Sequence, residues 1–510
     1  MNYEFQSFRN DFNQIVIDQA EKIAIVDGNT EAELTYSELD CQLRHVESSL
    51  ANCGLSPGST LVSILPNSAE ALLVFLAAAR MGLNFAPFST LSSSFECNEW
   101  AKFVKSDLVL VSDAVSPELL ELLNTSKLNY ISISQIMNKQ GNVGPIYRDS
   151  EPCVGRLYIQ TSGTTGASKV ITIELDRLWS SACAWVKVHS DILNSEVRFM
   201  NYLSVAYLGG LFNLCLIPIA ARGSIVVTQA FSGSSLLNFW SDIDRFEINA
   251  LWLVPSILRG LLVMNDRTRG KHRKSHKRIK FAFIGTATID QTTKEKGERE
   301  FGFRLLENYA LSETTFITTE AITEEPQTER GVGHILPYVE VRIKPEEDNT
   351  DIGELLVRTP FLAIGYLQAD GTNVSGLDAN GYFATGDIGR VAKSGELFLA
   401  GRIKEIVKKG GYLVWLGEVE AVALRHPSVQ NAAAISVPHE FYGEDIALFV
   451  KFQCQDDSVN LITNLRNWIT TYLARYKWPG QIYQVDSLPL TASGKIQRHK
   501  IQLPPTNHKS

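Results

Sequence analysis

Apolar and polar positions along the first 150 residues switch repeatedly between a helical period and short unbroken apolar runs. Thr35 and Glu38 have the spacing of a capping box, and Leu39, Leu43, Val46 and Leu50 then recur at helical intervals until Gly54. A second helix is predicted from Ser68 to Met81, opened by Asn67 and stopped by Gly82. The runs at 108–111 and 130–133 read as buried strands. Helices interleaved with buried strands imply an α/β domain.

The same alternation continues downstream. A helix is predicted over 176–189, with Leu178, Trp185 and Val188 on one stripe, and the runs at 223–227 and 251–254 suggest strands of a second parallel sheet. Beyond Gly331 the chain becomes strand- and turn-rich (339–343, 353–358 and Gly365-Tyr366), which suggests a small β-barrel. From Gly401 the pattern turns to α+β, with helices over 418–425 and 461–472. A domain boundary is therefore expected between 1–400 and 401–510, since a chain of 510 residues exceeds what one core sustains.

One stretch, Leu203 to Ala221, is uncharged over 19 residues, close to the length of a membrane span. It holds Gly209, Gly210, Asn213 and Pro218, so a buried core helix is the expectation, with no transmembrane segment. The charge balance, 48 − 56 = −8, argues against broad nucleic-acid binding. Within it stands a dense basic stretch from Arg267 to Arg278, seven Arg or Lys in 12 residues, expected as a solvated loop. Seven scattered cysteines without a Cys-x-x-Cys pair point to a reducing compartment, and the charged N-terminus lacks a signal-peptide run. A cytoplasmic protein is expected.

The chemistry concentrates at Thr161, Ser162, Gly163, Thr164, Thr165, Gly166, Ala167, Ser168 and Lys169, flanked by apolar runs. Glycines let backbone N–H groups turn toward an anion, hydroxyls add donors, and the lysine supplies charge. A Walker loop needs glycine before its lysine and Ser or Thr after it, whereas Ser168 and Val170 stand there. The pattern suits a phosphate loop of another kind.

This loop resembles the signature of the acyl-adenylate-forming superfamily, which includes acyl-CoA synthetases, adenylation domains of peptide synthetases and luciferases. Four further strings continue the match in order: 308–314 (Asn-Tyr-Ala-Leu-Ser-Glu-Thr), 382–387 (Tyr-Phe-Ala-Thr-Gly-Asp), 401–405 (Gly-Arg-Ile-Lys-Glu) and 489–495 (Pro-Leu-Thr-Ala-Ser-Gly-Lys). The resemblance implies a large N-terminal domain of two doubly wound sheets plus the barrel, followed by a small mobile C-terminal domain. It implies ATP, Mg²⁺ and CoA, or the phosphopantetheine of a carrier protein, as cofactors. By the same resemblance Thr161 to Lys169 cradle the β- and γ-phosphates, with Thr165 and Glu313 on the metal. Tyr309 lies against adenine beside Asn308 and the wall Gly285, Thr286 and Ala287. Ser312 donates to the α-phosphate, Asp387 accepts the ribose hydroxyls and Arg402 adds a nearby contact. Lys495 bridges the substrate carboxylate and the α-phosphate. Lys404 is the hinge, and Lys408 and Gly410 line the thiol channel.

Several positions depart from the family pattern: Ser168 replaces proline, Val170 and Ala310 replace glycine, Ser312 replaces threonine, and Trp415-Leu416 replaces a proline-bearing pair. The acid-side stretch includes Tyr207, Leu208, Gly209 and Gly210. Leu208 stands where amino-acid-activating relatives carry an aspartate, and a buried unpaired ammonium is costly, so a fatty or aryl acid fits better. Gly209 and Gly210 are expected to leave room along the pocket wall. Three readings follow: a ligase joining an acid to CoA; a free-standing enzyme loading an acyl or peptidyl carrier protein docked on the basic stretch; and an inactive nucleotide-binding protein, which the retained Lys169, Glu313, Asp387, Arg402 and Lys495 oppose.

Overall fold

The computed structural model describes residues 4–138, 155–161, 169–268, 273–287, 289–322, 331–345, 351–409, 412–439, 442–453, 458–490 and 496–504. Among them the chain builds four sheets. The largest has nine strands, with a parallel core in the order Ile23–Asp27, Ser224–Val227, Arg198–Asn201, Ala250–Leu253, Phe281–Ile284 and Arg304–Leu311. An eight-stranded sheet runs Tyr130–Ser132, Leu108–Val111, Thr60–Ile64, Asn84–Pro87, after which Arg156–Thr161 and Lys169–Glu174 form an antiparallel pair. The strands read from the runs at 108–111, 223–227 and 251–254 are buried throughout, as parallel strands covered on both faces must be, whereas Tyr130–Ser132, read as buried, is a half-buried strand at the edge of the eight-stranded sheet.

The helix Ala69–Met81 contacts strands of both large sheets and is buried on nearly every side, which explains why its sequence is apolar all round rather than striped. Its cap corrects the expectation. Ser68, not Asn67, accepts the first free N–H, from Ala71 at 3.2 Å. Asn67 instead reaches across the fold: its amide donates to Leu203 O at 2.8 Å and accepts from Val205 N at 3.0 Å. The capping box at Thr35 and Glu38 forms as read.

The uncharged stretch folds as a turn, a π-helix over Gly209–Leu216 and a short helix over Ile217–Ala220, packed in the core. Asn201, wholly buried, donates to Gly210 O and Leu214 O, supplying the partners that a wide helical turn leaves wanting. No helix among the described residues is long and apolar enough to cross a membrane. The basic stretch departs from the loop expected for it. Arg267 lies in the last turn of the helix Pro255–Thr268, and Arg273–Arg278 is helical, with 269–272 outside the described residues. His276 is the reason: its ring is buried 4.1 Å from that of Trp240 and 4.9 Å from that of Phe301, pinning the charged turn to the core.

The small β element expected beyond Gly331 is a four-stranded antiparallel sheet of Glu340–Pro345, Gly353–Arg358, Phe383–Val391 and Leu397–Arg402. Gly365–Leu367 leaves it and pairs with Lys169–Glu174 in the eight-stranded sheet. Sheet membership changes between Arg402 and Ile406, beyond which a five-stranded sheet and the helices Leu416–Leu424 and Ser458–Tyr472 enclose a separate core of Val407, Val419, Leu448, Leu465 and Ile469.

Candidate active site

In a parallel sheet the carboxyl ends of the strands are where ligands gather, because loops there are free to vary over a fixed frame. Three predicted groups fall on that edge of the nine-stranded sheet. Tyr207 to Gly210 follow the strand Arg198–Asn201, Gly285 to Ala287 follow Phe281–Ile284, and Ser312 and Glu313 follow Arg304–Leu311. The fold thus assembles residues more than 100 positions apart.

Around Asp387 the geometry is tightest. Gly386 takes φ 70°, a turn that favours glycine, and presents Asp387, whose own N–H donates to Thr385 Oγ1 at 3.0 Å. The carboxylate is 4 % exposed; Tyr309 donates its hydroxyl to Oδ2 at 2.5 Å and Arg402 Nε lies 2.8 Å from Oδ1. Burial, and then the neighbouring charge of Asp387, hold the Tyr309 phenol well above its ordinary value, so it stays a donor. Asn308 is buried beside it, donating to Ile284 O at 3.0 Å. A Cβ on Gly285 would sit 2.5 Å from Asn308 Oδ1, so that glycine admits the asparagine, and Thr286 beyond it takes φ 77°.

A second carboxylate, Glu313, stands in the turn between Arg304–Leu311 and Thr315–Thr319 and is partly exposed. Tyr366 donates its hydroxyl to Glu313 Oε1 at 2.9 Å, and Lys169 Nζ lies 4.6 Å from the centre of the Tyr366 ring. Burial first, and the charge of Glu313 second, push the Tyr366 phenol upward too. Lys169 begins the return strand of the hairpin, opposite Thr161. Val170 packs into the core next to it, which accounts for a valine in place of glycine.

Not every expected residue is brought into view. Ser162, Gly163, Thr164, Thr165, Gly166, Gly410 and Lys495 lie outside the described residues, while Thr161, Lys404 and Lys408 are placed by backbone alone, Lys404 in the 3₁₀ turn Ile403–Glu405 and Lys408 in the strand Ile406–Lys409. Of the residues expected on the acid side, Tyr207 is 44 % exposed and Leu208 partly buried. Gly209 and Gly210 correct the expectation of pocket room. A Cβ at Gly210 would meet Ser204 O at 2.6 Å and Leu203 O at 2.7 Å, and one at Gly209 would press on Leu203 Cδ1 at 3.1 Å. Close backbone packing requires glycine at 210, and at 209 the Leu203 side chain, not an open wall, is the neighbour.

Two participants escaped the sequence reading. Tyr366 served only as a strand marker and Asn67 only as a helix cap; the usable signal was a tyrosine hydroxyl in a short glycine-led strand, which must find a partner when buried. Taken together, two carboxylates each fixed by a tyrosine, one of them with a lysine at its tyrosine ring, suit a ribose and a polyphosphate. Among the described residues no cluster of three His, Cys, Asp or Glu could cage a metal. Mg²⁺ fits such a site, because it takes one or two carboxylates and completes its shell with phosphate and water.

Comparison with known proteins agrees with this geometry. The model of the AMP-binding enzyme family matches residues 12–367, and that of the AMP-binding enzyme C-terminal domain matches 418–495. Oxalate–CoA ligase of Arabidopsis thaliana is 28 % identical over 486 residues, covering 91 % of this chain and 92 % of that protein. Enterobactin synthase component E of Escherichia coli (strain K12) is 26 % identical over 505 residues, covering 95 % and 92 %. The crystal structure of ATP-bound MatB from Rhodopseudomonas palustris shares the fold with a TM-score of 0.86 at 22 % identity, over 97 % of this chain and 98 % of that one. From its phosphate-loop hairpin to its C-terminal sheet, the chain belongs to the AMP-binding enzyme family.

Proposed function

We propose that the protein is an acid–thiol ligase that activates a carboxylic acid with ATP, releasing pyrophosphate, and passes the acyl group from the acyl adenylate to the thiol of CoA. The observation that carries this reading is a pair of carboxylates each held by a tyrosine hydroxyl, Asp387 by Tyr309 and Glu313 by Tyr366, the ring centre of Tyr366 lying 4.6 Å from Lys169 Nζ. A carboxylate oxygen is a poor leaving group, so joining it to AMP is the step that makes acyl transfer possible. Mg²⁺, when bound, would neutralise charge on the phosphates and polarise them toward attack.

In this reading Asp387 accepts the ribose hydroxyls while Arg402 holds its second oxygen, and Tyr309, Asn308 and the 285–287 wall flank the base. Glu313 faces the metal, Ser312 donates to the α-phosphate, and Lys169 with the 161–168 turn grips the outer phosphates. Lys495 supplies charge at the reacting oxygens. The units 1–400 and 401–510 are assigned as two domains, the second turning about Lys404 after adenylation to bring Lys408 and Gly410 to the thiol. Leu208 and the lack of any Lys or Arg over 203–210 support an acid without a second charge, fatty or aryl. A cytoplasmic setting accords with Cys41, Cys97, Cys183 and Cys215, which stand as free thiols.

A second reading, transfer to a separate carrier protein, draws on the likeness to Enterobactin synthase component E. The basic stretch is a poor platform for it. Arg278 borders a cleft of about 580 Å³ with Lys22, Arg198, Asn249 and Lys280, which lie at the amino ends of the parallel strands. That is the edge opposite Gly285 and Glu313. Pyrophosphate release across a panel of acids, first with CoA and then with a carrier protein, tests both. Acid-dependent release with an acyl-CoA product supports the first reading; release without acyl-CoA but with an acylated carrier supports the second, and no acid-dependent release ends both.

A further inference from the structure

We propose that Tyr366 is a positioning residue that fixes Glu313 relative to Lys169, so that the metal-facing carboxylate and the phosphate-loop lysine keep one spacing; this rests on the acid-activating reading above. The chain around Tyr366 grips Glu313 twice. Ala363 N donates to Glu313 O at 2.7 Å, and Tyr366 donates its hydroxyl to Glu313 Oε1 at 2.9 Å. Main chain and side chain of the glutamate are thus tied to a single four-residue stretch. The same stretch is hydrogen-bonded to the strand that Lys169 begins: Ile364 N donates to Thr172 O at 2.9 Å, and Tyr366 stands opposite Ile171.

Because side chains two apart in a strand share a face, Tyr366 and Lys169 are diagonal neighbours, which puts the ammonium 4.6 Å from the ring centre. One phenol therefore serves both groups, its face toward the lysine and its hydroxyl toward the carboxylate. An ionised carboxylate offers about four lone-pair sites. With one of them occupied by Tyr366, the remaining ones are aimed rather than free to rotate. A buried packing residue would need the ring only, and the hydroxyl is what distinguishes the two roles.

The test is calorimetric titration of ATP into the full-length chain, once with Mg²⁺ and once with EDTA, so that the gain in affinity due to the metal is read without turnover. Glu313→Gln should abolish that gain. Tyr366→Phe keeps the ring and should reduce the gain about 10- to 150-fold, the worth of one hydrogen bond to a charged group, while leaving the EDTA affinity unchanged. Tyr366→Leu should in addition weaken binding in EDTA, since the lysine loses its aromatic seat. An unaltered metal gain in Tyr366→Phe, with wild-type melting, overturns the proposal alone. A wild-type chain that binds ATP in neither condition overturns the acid-activating reading and this inference with it.

Discussion

Arg402 and Asp387 face each other directly across an antiparallel pair, with Nε 2.8 Å from Oδ1 in the register that sets residue 387 opposite 402. The sheet itself, not a flexible loop, aims the carboxylate, and Tyr309 holds the other oxygen. Asp387→Asn keeps an acceptor for Tyr309 but turns an amide toward either Arg402 or the ribose. Two charged hydrogen bonds become weaker neutral ones. The KM for ATP should rise about 10- to 100-fold with a smaller change in kcat. Asp387→Ala also strands the buried Tyr309 hydroxyl and should cost about 1–3 kcal/mol of stability in urea unfolding. Equal ATP titrations for wild type and Asp387→Asn would remove Asp387 from the nucleotide site.

Asn67 bonds the backbone on both sides of Ser204 and so holds the turn that leads to Tyr207. Asn67→Ala leaves Leu203 C=O and the buried Val205 N–H without that partner, a loss of about 1–3 kcal/mol. Because the turn leads to the residues proposed to face the acid, the KM for the acid should increase several-fold while that for ATP stays put. Asn67→Asp, which can still accept from Val205 N but cannot donate to Leu203 O, should fall between. A matched rise in both KM values would mean that Asn67 acts through global stability only.

Much of the fold was legible because burial follows period: the apolar runs at 108–111 and 251–254 are strands, and the striped helix ending near His189 forms with Leu178 and Trp185 inside. Tertiary partners were not legible. Nothing in a period tells an asparagine before a helix whether to cap it or to cross 136 residues to Leu203. Likewise Gly210 reads as open space until the carbonyls of Leu203 and Ser204 are seen 2.7 and 2.6 Å from where its Cβ would be. The basic stretch misled for the same reason. His276 is one residue among many charges, and only the fold places Trp240 and Phe301 around it.

His189 provides a pH signature. Its ring packs against Trp185 and Phe283, its Nε2 lies 3.1 Å from Thr319 Oγ1, and burial brings its pKa down to about 4. The folded protein keeps it neutral where the unfolded chain, near 6.5, takes up a proton. Stability from this group is therefore complete above about pH 6.5 and is lost as pH falls toward about 4, amounting to about 3 kcal/mol. Urea midpoints measured at pH 7 and pH 5 should differ less for His189→Gln than for wild type. The same difference in both proteins would assign the acid sensitivity elsewhere.

Arg498 ties the C-terminal tail to two carboxylates. It lies 2.5 Å from Glu405 Oε1 and 2.7 Å from Glu420 Oε2, and Glu420 also accepts from Ala434 N at 2.6 Å. Burial pushes the Glu420 carboxyl upward against the attraction of Arg498. Arg498→Met should leave that carboxylate without its cation and destabilise the 401–510 unit, by an amount near the low end of the about 3–5 kcal/mol seen for broken buried pairs, since Arg498 is itself partly exposed. Limited proteolysis should then cut beyond residue 402 first. Double substitution with Glu420→Gln should recover part of the loss, and a double variant no better than Arg498→Met would deny the coupling.

The roles proposed for Lys495 and Lys404 assign them to different half-reactions. Among the described residues Leu490 and Ile496 form an antiparallel bridge, Gln497 N donates to Pro489 O at 2.8 Å, and Arg498 pairs with Glu405 of the turn Ile403–Glu405. In the proposed mechanism Lys495 meets the developing charge of adenylation and the C-terminal unit then turns about Lys404. Lys495→Ala should thus lower acid-dependent pyrophosphate exchange by about 100-fold or more, the scale of one lost transition-state contact, yet still convert a supplied acyl adenylate and CoA to acyl-CoA. Lys404→Pro fixes φ at the proposed hinge and should do the reverse, sparing exchange and slowing thioester formation. The two variants are assayed side by side on both half-reactions. If each loses both steps equally, the separation of roles is wrong and the C-terminal unit works in a single arrangement.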